Sequence, residues 1–287
     1  MDKHLFFFST DKHPSPFDIN IALDSGFDHA IPYSSVTEDE TIALAQDVIF
    51  SRGPKGARKS GIFIGGGDID LAEKIASRVV SCMFEPFRVS VFTDPKGAYT
   101  TAAALVAKVS RCSGGLEGKR IVIFGGTGPV GMITASLAAG EGGEASVVSS
   151  RSREAAALAA ERAGKMAGRE VQASAASSEE ERIALAREAD IVIATVKAGV
   201  QVLGGQALHG LRQGLVVADV NAAPPPGIGG LSPDDDMKEI APGVKGIGAL
   251  AVGRIKYKVQ AELYRKMTRE WINAGYRECY ELAKTLA

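Results

Sequence analysis

The 287-residue chain carries a formal net charge of −1 and is 45% hydrophobic, enough to bury one large core or two ordinary ones. Acidic and basic residues are spread along it, which excludes the electrostatic footprint of a nucleic-acid or anionic-membrane binder and leaves small-molecule chemistry. Cys82, Cys112 and Cys279 are far apart and odd in number, so they fit reduced, buried thiols rather than a disulfide frame or a zinc site.

No apolar run reaches the roughly eighteen residues of a membrane span. The opening "MDKHLFFFSTDKHPSPFD" meets charge too soon for a signal peptide, so the expected location is cytoplasmic. In chain order, short apolar runs and 3.6-residue periodicity predict a strand at 4–8, a helix at 20–25 and a strand at 30–33. A helix at 37–50, a strand at 61–64, a helix at 69–82, a strand at 88–93 and a helix at 101–112 follow. The turn signal "CSGGLEGKR" then opens a second lobe. That lobe runs through a strand at 120–124, helices at 130–141, 153–167 and 179–187, and strands at 145–148, 191–195 and 215–218. A last helix over 255–286, with a break near Gly275 as the alternative, carries Ile255, Val259, Leu263, Met267 and Trp271 as a core-facing stripe. Alternating strands and helices predict an α/β fold of two lobes. Residues 113–255 form a Rossmann-type nucleotide domain, and residues 1–112 with 256–287 form an α/β substrate and oligomerisation domain completed by the C-terminal helix.

Two glycine-rich turns compete for a nucleotide. In "IVIFGGTGPVGM", Gly126, Gly128 and Gly131 satisfy G-x-G-x-x-G between an apolar strand and a helix. Gly126 is read as the tight turn, Gly128 as the point of closest approach to a pyrophosphate, and Gly131 as the close helix–strand contact. Thr127, Pro129 and Val130 complete a loop whose helix N-terminus favours phosphate. About twenty residues on, where Asp or Glu would hold a ribose hydroxyl, stand Ser149, Ser150, Arg151 and Arg153, which suit a 2′-phosphate. NADP is therefore favoured, with NAD as the alternative. Two further strand tips bring Thr195, Val196, Lys197, Asp219 and Asn221 toward the nicotinamide half, although Asp219 and Asn221 read equally well as turn caps. "GIFIGGGDIDLAEK" lacks the third glycine and sets Asp68 where phosphate would lie, so it reads as a strand–helix turn with Asp68 as N-cap.

The chemistry is constrained by absences. The four histidines lie outside these motifs, no Cys/His spacing fits zinc, and the lone Tyr-x-x-x-Lys pair, Tyr280 and Lys284, sits in the last turns without a supporting glycine pattern. No base or metal for deprotonating an alcohol is evident, which favours a substrate that gives up hydride without losing a proton.

The stretches "SPFDIN", "FSRGPKG", "IFIGGGD", "PFRVSVF", "TTAAA", "GGTGPVGM", "VVADVNAAPPPGIGG" and "GIGALAVGRIKYK" together resemble, over essentially the whole chain, the NAD(P)-dependent methylene-tetrahydromethanopterin dehydrogenases of methylotrophic bacteria. These are relatives of methylene-tetrahydrofolate dehydrogenases. The resemblance implies hydride transfer from methylene-tetrahydromethanopterin to NADP⁺ in one-carbon (formaldehyde) metabolism. A folate dehydrogenase proper and a non-catalytic NADP-sensing module are the alternatives. It also implies Phe17 for ring packing on the pterin, where core packing is the other reading, and Asp18 and Thr101 as polar contacts. Lys256 falls near the reacting centre, against the plainer reading of a surface lysine at a helix start. Gln260 stands where at least one relative has histidine, and Lys256, Gln260 and Tyr264 are four apart. A homo-oligomer, trimeric or larger, is implied in the same way. "SRGPKGARK" reads as a solvated loop.

Overall fold

The computed structural model describes residues 1–287. The chain divides into two compact units, Met1–Thr100 with Tyr257–Leu282 and Thr101–Lys256 with Ala283–Ala287. The first opens with β1 (His4–Ser9), α1 (Pro16–Asp24), β2 (His29–Tyr33), α2 (Thr41–Phe50), α3 (Gly53–Ala57), β3 (Ser60–Gly65), α4 (Ile69–Ser81) and β4 (Ser90–Thr93); α5 (Ala98–Ser113) leads on into the second. β1 lies between β2 and β3, all parallel, with Phe7 beside Phe63 and Phe8 beside Ile64. Every residue of β3 is buried, as a parallel strand covered on both faces requires. One face packs Phe8, Ile62, Ile64 and Val91 against Ile49 of α2 and Ile75 of α4.

Helix starts depart from the expected ones for local reasons. α1 begins at Pro16 rather than residue 20, because the Asp18 N–H donates to the Ser15 hydroxyl at 3.3 Å and proline suits the first helical turn. α2 begins at Thr41 rather than 37, because the Glu40 carboxylate accepts from the Thr37 N–H and hydroxyl and holds that stretch in a turn. The stretch read as a solvated loop contains the short α3, opened by Gly53 at φ +62°.

The second unit holds β5 (Arg120–Phe124), α6 (Pro129–Gly140), β6 (Glu144–Ser149), α7 (Arg153–Ala167), β7 (Gln172–Ala175), α8 (Glu179–Glu188), β8 (Ile191–Ala194), β9 (Leu215–Asp219), β10 (Asp236–Ala241) and β11 (Val244–Ile247). Its seven strands run in the order β10-β11-β9-β8-β5-β6-β7, parallel except for β10 against β11. Strand order reverses at β5, the topological switch point of a doubly wound sheet, so the α/β, Rossmann-type expectation holds. Phe124, Val192, Leu203, Val217 and Ile228 centre its core. β7, β10 and β11 were not expected. β7 and β10 are edge strands with small or charged residues and no apolar run, and only the Pro242-Gly243 turn, with Gly243 at φ +72°, hints at the β10–β11 hairpin.

The single helix expected over 255–286 is corrected to α9 (Ala249–Met267), β12 (Asn273–Ala274) and α10 (Tyr276–Leu286). After Met267 the backbone turns to pair with β4. Ile272 O accepts from the Val91 N–H at 2.9 Å, Ile272 N–H donates to the Ser90 hydroxyl at 3.2 Å, and Asn273 aligns with Val91. Ladder bonds to an open strand edge outweigh continuing the helix into solvent. The first sheet is thus β12-β4-β3-β1-β2. Ile255, Val259, Leu263 and Met267 are buried as the stripe requires, but Trp271 lies beyond the helix, 43% exposed, its indole N–H donating to Val89 O at 3.0 Å.

The other face of the first sheet is aromatic. Tyr264 of α9 meets Phe27, Phe63 and Phe92 at ring-centroid distances of 6.2, 5.7 and 5.4 Å. Its hydroxyl is buried without a well-formed hydrogen bond. Tyr264→Ala is therefore expected to cost about 3–5 kcal/mol of folding stability. Tyr264→Phe, which removes only the poorly satisfied hydroxyl, should stay within about 1 kcal/mol of the parent in urea denaturation.

Candidate functional site

The turn between β5 and α6 lies at the switch point of the seven-stranded sheet. Its tight bend is made by Gly125, at φ +76°, and not by Gly126 as expected. A Cβ on Gly125 would also come within 2.8 Å of the Thr195 carbonyl carbon. Gly126 is restricted for a different reason, since a Cβ there would lie 2.9 Å from the Val147 side chain and 3.0 Å from Ile123 O. Gly131 makes the close approach expected of it: an added Cβ would stand 2.6 Å from Gly125 O, Gly126 Cα and Thr195 Oγ1. Gly128 is the N-cap of α6, with nothing nearer to an added Cβ than Gly125 O at 3.4 Å, and Pro129 follows at the start of the helix. The N–H groups of the first turn, among them those of Val130 and Gly131, have no helical carbonyl to donate to, so this end of the helix can receive an anion. Thr127 lies within the bend.

At the tip of β6, Ser149 is buried and its hydroxyl accepts from the N–H groups of Arg151 (3.1 Å) and Ser152 (3.3 Å). Ser149 therefore shapes the turn. Ser150, Arg151 and Arg153 are exposed on it, Arg153 opening α7 beside the N-cap Ser152. Across the switch point, Thr195 donates from its hydroxyl to Phe124 O at 3.0 Å and so ties the tip of β8 to that of β5. Val196 is partly buried against the core and Lys197 is exposed.

Asp219 and Asn221 act within their own loop. The Asp219 carboxylate accepts from Asn221 N (2.9 Å), Gly227 N (2.6 Å) and Ile228 N (3.3 Å). Burial pushes its pKa up, and those backbone donors pull against the shift. The Asn221 side chain accepts from Ala223 N at 3.0 Å and donates to Pro225 O at 3.4 Å. The turn-cap reading is realised for both.

In the first unit, Asp18 and Gln260 meet although far apart in sequence: the buried Gln260 amide donates to Asp18 Oδ1 at 2.6 Å. One turn further along α9, burial pushes the Tyr264 hydroxyl far above the ordinary phenol range; the Asp18 and Asp94 carboxylates add to this, while Gln260 opposes it. Asp94, fully buried, accepts from Tyr99 N (2.9 Å), Thr100 N (3.2 Å) and Thr100 Oγ1 (2.6 Å), fixing the start of α5. Thr101, expected as a polar contact, is half-buried in the first turn of that helix. Phe17, at 55% exposure, is not a core residue. Lys256 is neither at a helix start nor on the surface. α9 begins six residues before the expected Ile255, and Lys256 is buried at 8% exposure, one turn before Gln260.

The glycine turn after β3 packs against Thr10 and Asp11. A Cβ on Gly66, at φ +99°, would lie 2.1 Å from Thr10 Oγ1, and Gly67 N–H donates to Asp11 Oδ1 at 2.9 Å. Asp68 caps α4, accepting from Leu71 N at 3.0 Å. Sequence reasoning missed Gly125, Asp94 and Thr100. The doubled glycine of "FGGTG" and the paired threonines of "YTTAAA" were the available signals.

Residues 16–96 match the family model described as methylene-tetrahydromethanopterin dehydrogenase, N-terminal. The chain is 40% identical over 285 residues to the NAD(P)-dependent methylenetetrahydromethanopterin dehydrogenase of Methylorubrum extorquens, covering 96% of each. It is 38% identical to the bifunctional protein MdtA of the same organism, over 99% of each. Among solved structures, quinate dehydrogenase from Corynebacterium glutamicum in complex with NAD shares the fold at 11% identity, with a TM-score of 0.57 and 99% of each chain covered.

Proposed function

The chain belongs to the NAD(P)-dependent methylene-tetrahydromethanopterin dehydrogenase family, and we infer from this that it moves a hydride from the methylene carbon of methylene-tetrahydromethanopterin to NADP⁺. The methylene carbon lies between two nitrogens whose lone pairs stabilise the cation left when hydride departs. No base is needed at that carbon, in keeping with the absence of a histidine or metal motif in the sequence. Catalysis then reduces largely to holding the donor carbon against its acceptor and tuning the field around it.

The observation that carries the reading is the Gly125–Gly131 turn at the switch point, where an added Cβ on Gly131 would fill the space that lets the loop close on the helix. Those residues fit a dinucleotide. Bound NADP⁺ supplies the hydride acceptor. The N–H groups of Gly126, Thr127, Val130 and Gly131 face the pyrophosphate, while that of Gly128 donates to Gly125 O at 3.0 Å and closes the turn, and Ser150, Arg151 and Arg153 hold the 2′-phosphate. Thr195, Val196 and Lys197 line the nicotinamide side, and Asp219 and Asn221 hold the loop that borders it. On the pterin side, Phe17 is the exposed ring proposed to pack on the pterin, Asp18 and Thr101 are the proposed polar contacts, and the buried Gln260 amide fixes the Asp18 carboxylate. A cation beside a forming methenyl cation opposes it by charge, so Lys256 acts through hydrogen bonds that orient the pterin. A cytoplasmic homo-oligomer is the assembly proposed; no helix is long and apolar enough to cross a membrane.

Formation of NADPH from methylene-tetrahydromethanopterin tests the reading directly. Binding of NADP without oxidation of either pterin would reduce the chain to a nucleotide sensor. A kcat/KM for methylene-tetrahydrofolate above that for the methanopterin would make it a folate enzyme. For the cofactor, Arg151→Ala is expected to weaken NADP about tenfold while leaving NAD nearly unchanged. Equal losses would remove Arg151 from the 2′-phosphate site.

A further inference from the structure

Two neighbouring strands begin with ligand groups that hydride transfer does not use. His4 opens β1 and His29 opens β2, and the parallel register pairs them directly, so both imidazoles leave the same face of the sheet. Their rings meet edge to face with centroids 5.1 Å apart. Asp2 brings its carboxylate Oδ2 to 3.4 Å from His29 Nε2. One ligand atom from each of Asp2, His4 and His29 lies within 4.8 Å of the other two.

We propose that Asp2, His4 and His29 bind a divalent first-row transition ion, with solvent completing its coordination. Two imidazoles and one carboxylate suit nickel, copper or zinc, whereas calcium and magnesium call for more oxygen donors than the cluster offers. Bonds of about 2.0–2.2 Å bring ligand atoms closer together than these stand, but Asp2 and His29 are exposed and can rotate inward while the strands stay fixed.

The surrounding charges are mixed. Asp28, whose carboxylate accepts from Lys3 N at 2.8 Å, adds negative potential, while Arg52, donating to the main-chain oxygen of Asp2 at 2.7 Å, opposes a cation. Partial burial first, then Arg52 and His29, hold His4 below the usual imidazole range, against the pull of Asp2 and Asp28. The site stands at the amino ends of β1 and β2, whereas Asp18 follows the carboxyl end of β1. A six-residue strand separates the two rims by about 16 Å, so the metal clamps edge strand β2 to β1 and takes no part in the reaction.

Calorimetric titration of the full chain with nickel chloride alone, near pH 7.5, tests the site. One equivalent should bind, at least about tenfold more weakly after His4→Gln or His29→Gln, and not detectably after both. Asp2→Asn, an exposed change that leaves both strands intact, should weaken nickel severalfold and keeps the test independent of folding. Hydride transfer by the His29→Gln variant should equal that of the parent. No binding by the parent chain, or equal binding by parent and double variant, would overturn the proposal.

Discussion

Lys256→Met is expected to lower the rate of hydride transfer by about 10²-fold while leaving NADP affinity within about twofold. Methionine matches the length and apolar stem of lysine, and Lys256 is buried within α9, so the helix keeps its packing and loses only the ammonium donors. Losing the donors that orient the pterin misplaces the reacting carbon, and a misplacement of about 1 Å can cost about this much. Stopped-flow formation of NADPH, with NADP binding followed separately by fluorescence, separates the two effects. Unchanged turnover would take Lys256 out of the mechanism, and a parallel loss of NADP affinity would mean that the change had disturbed the fold.

Gly131→Ala is expected to weaken NADP about 10²-fold and to lower folding stability by about 1–3 kcal/mol. The added Cβ would lie 2.6 Å from two atoms of the Gly125–Gly126 backbone and from the short Thr195 side chain. No flexible side-chain end can yield, so the loop must move, and with it the N–H groups that meet the pyrophosphate. Gly140, the last residue of the same helix, has nothing within 4 Å of an added Cβ. Gly140→Ala should therefore be neutral or slightly stabilising, with NADP binding unchanged. Nucleotide titration and urea denaturation of the pair check both halves, and equal behaviour of the two variants would show that Gly131 is not sterically required.

The parallel cores were legible because β1, β3, β5, β8 and β9 are apolar runs at α/β spacing, and the Gly-rich turn declared itself by its place between strand and helix. Edge strands were not. β7 and β10 are held by one neighbour and by polar or small residues, so their pattern is that of a loop. The long terminal helix failed because four-residue periodicity says nothing about a strand edge waiting 182 positions away in sequence, where Ser90 meets Ile272. On the pterin side, Asp18 and Gln260 were placed by resemblance, and only the folded chain brings them to 2.6 Å. Asp94 lay hidden because a carboxylate spent on capping a buried helix start looks, in sequence, like any aspartate before Pro-Lys-Gly.

The return of the chain to the first sheet also orders its biogenesis. Residues 101–256 are contiguous, so their parallel sheet can close while the C-terminal segment is still being synthesised. The first sheet must wait, its β4 edge open and Phe63 and Phe92 lacking the Tyr264 ring, until α9 and β12 arrive from the far end of the chain. A ribosome stalled shortly before residue 257 would leave that edge exposed, and aggregation of the nascent chain would begin at β4.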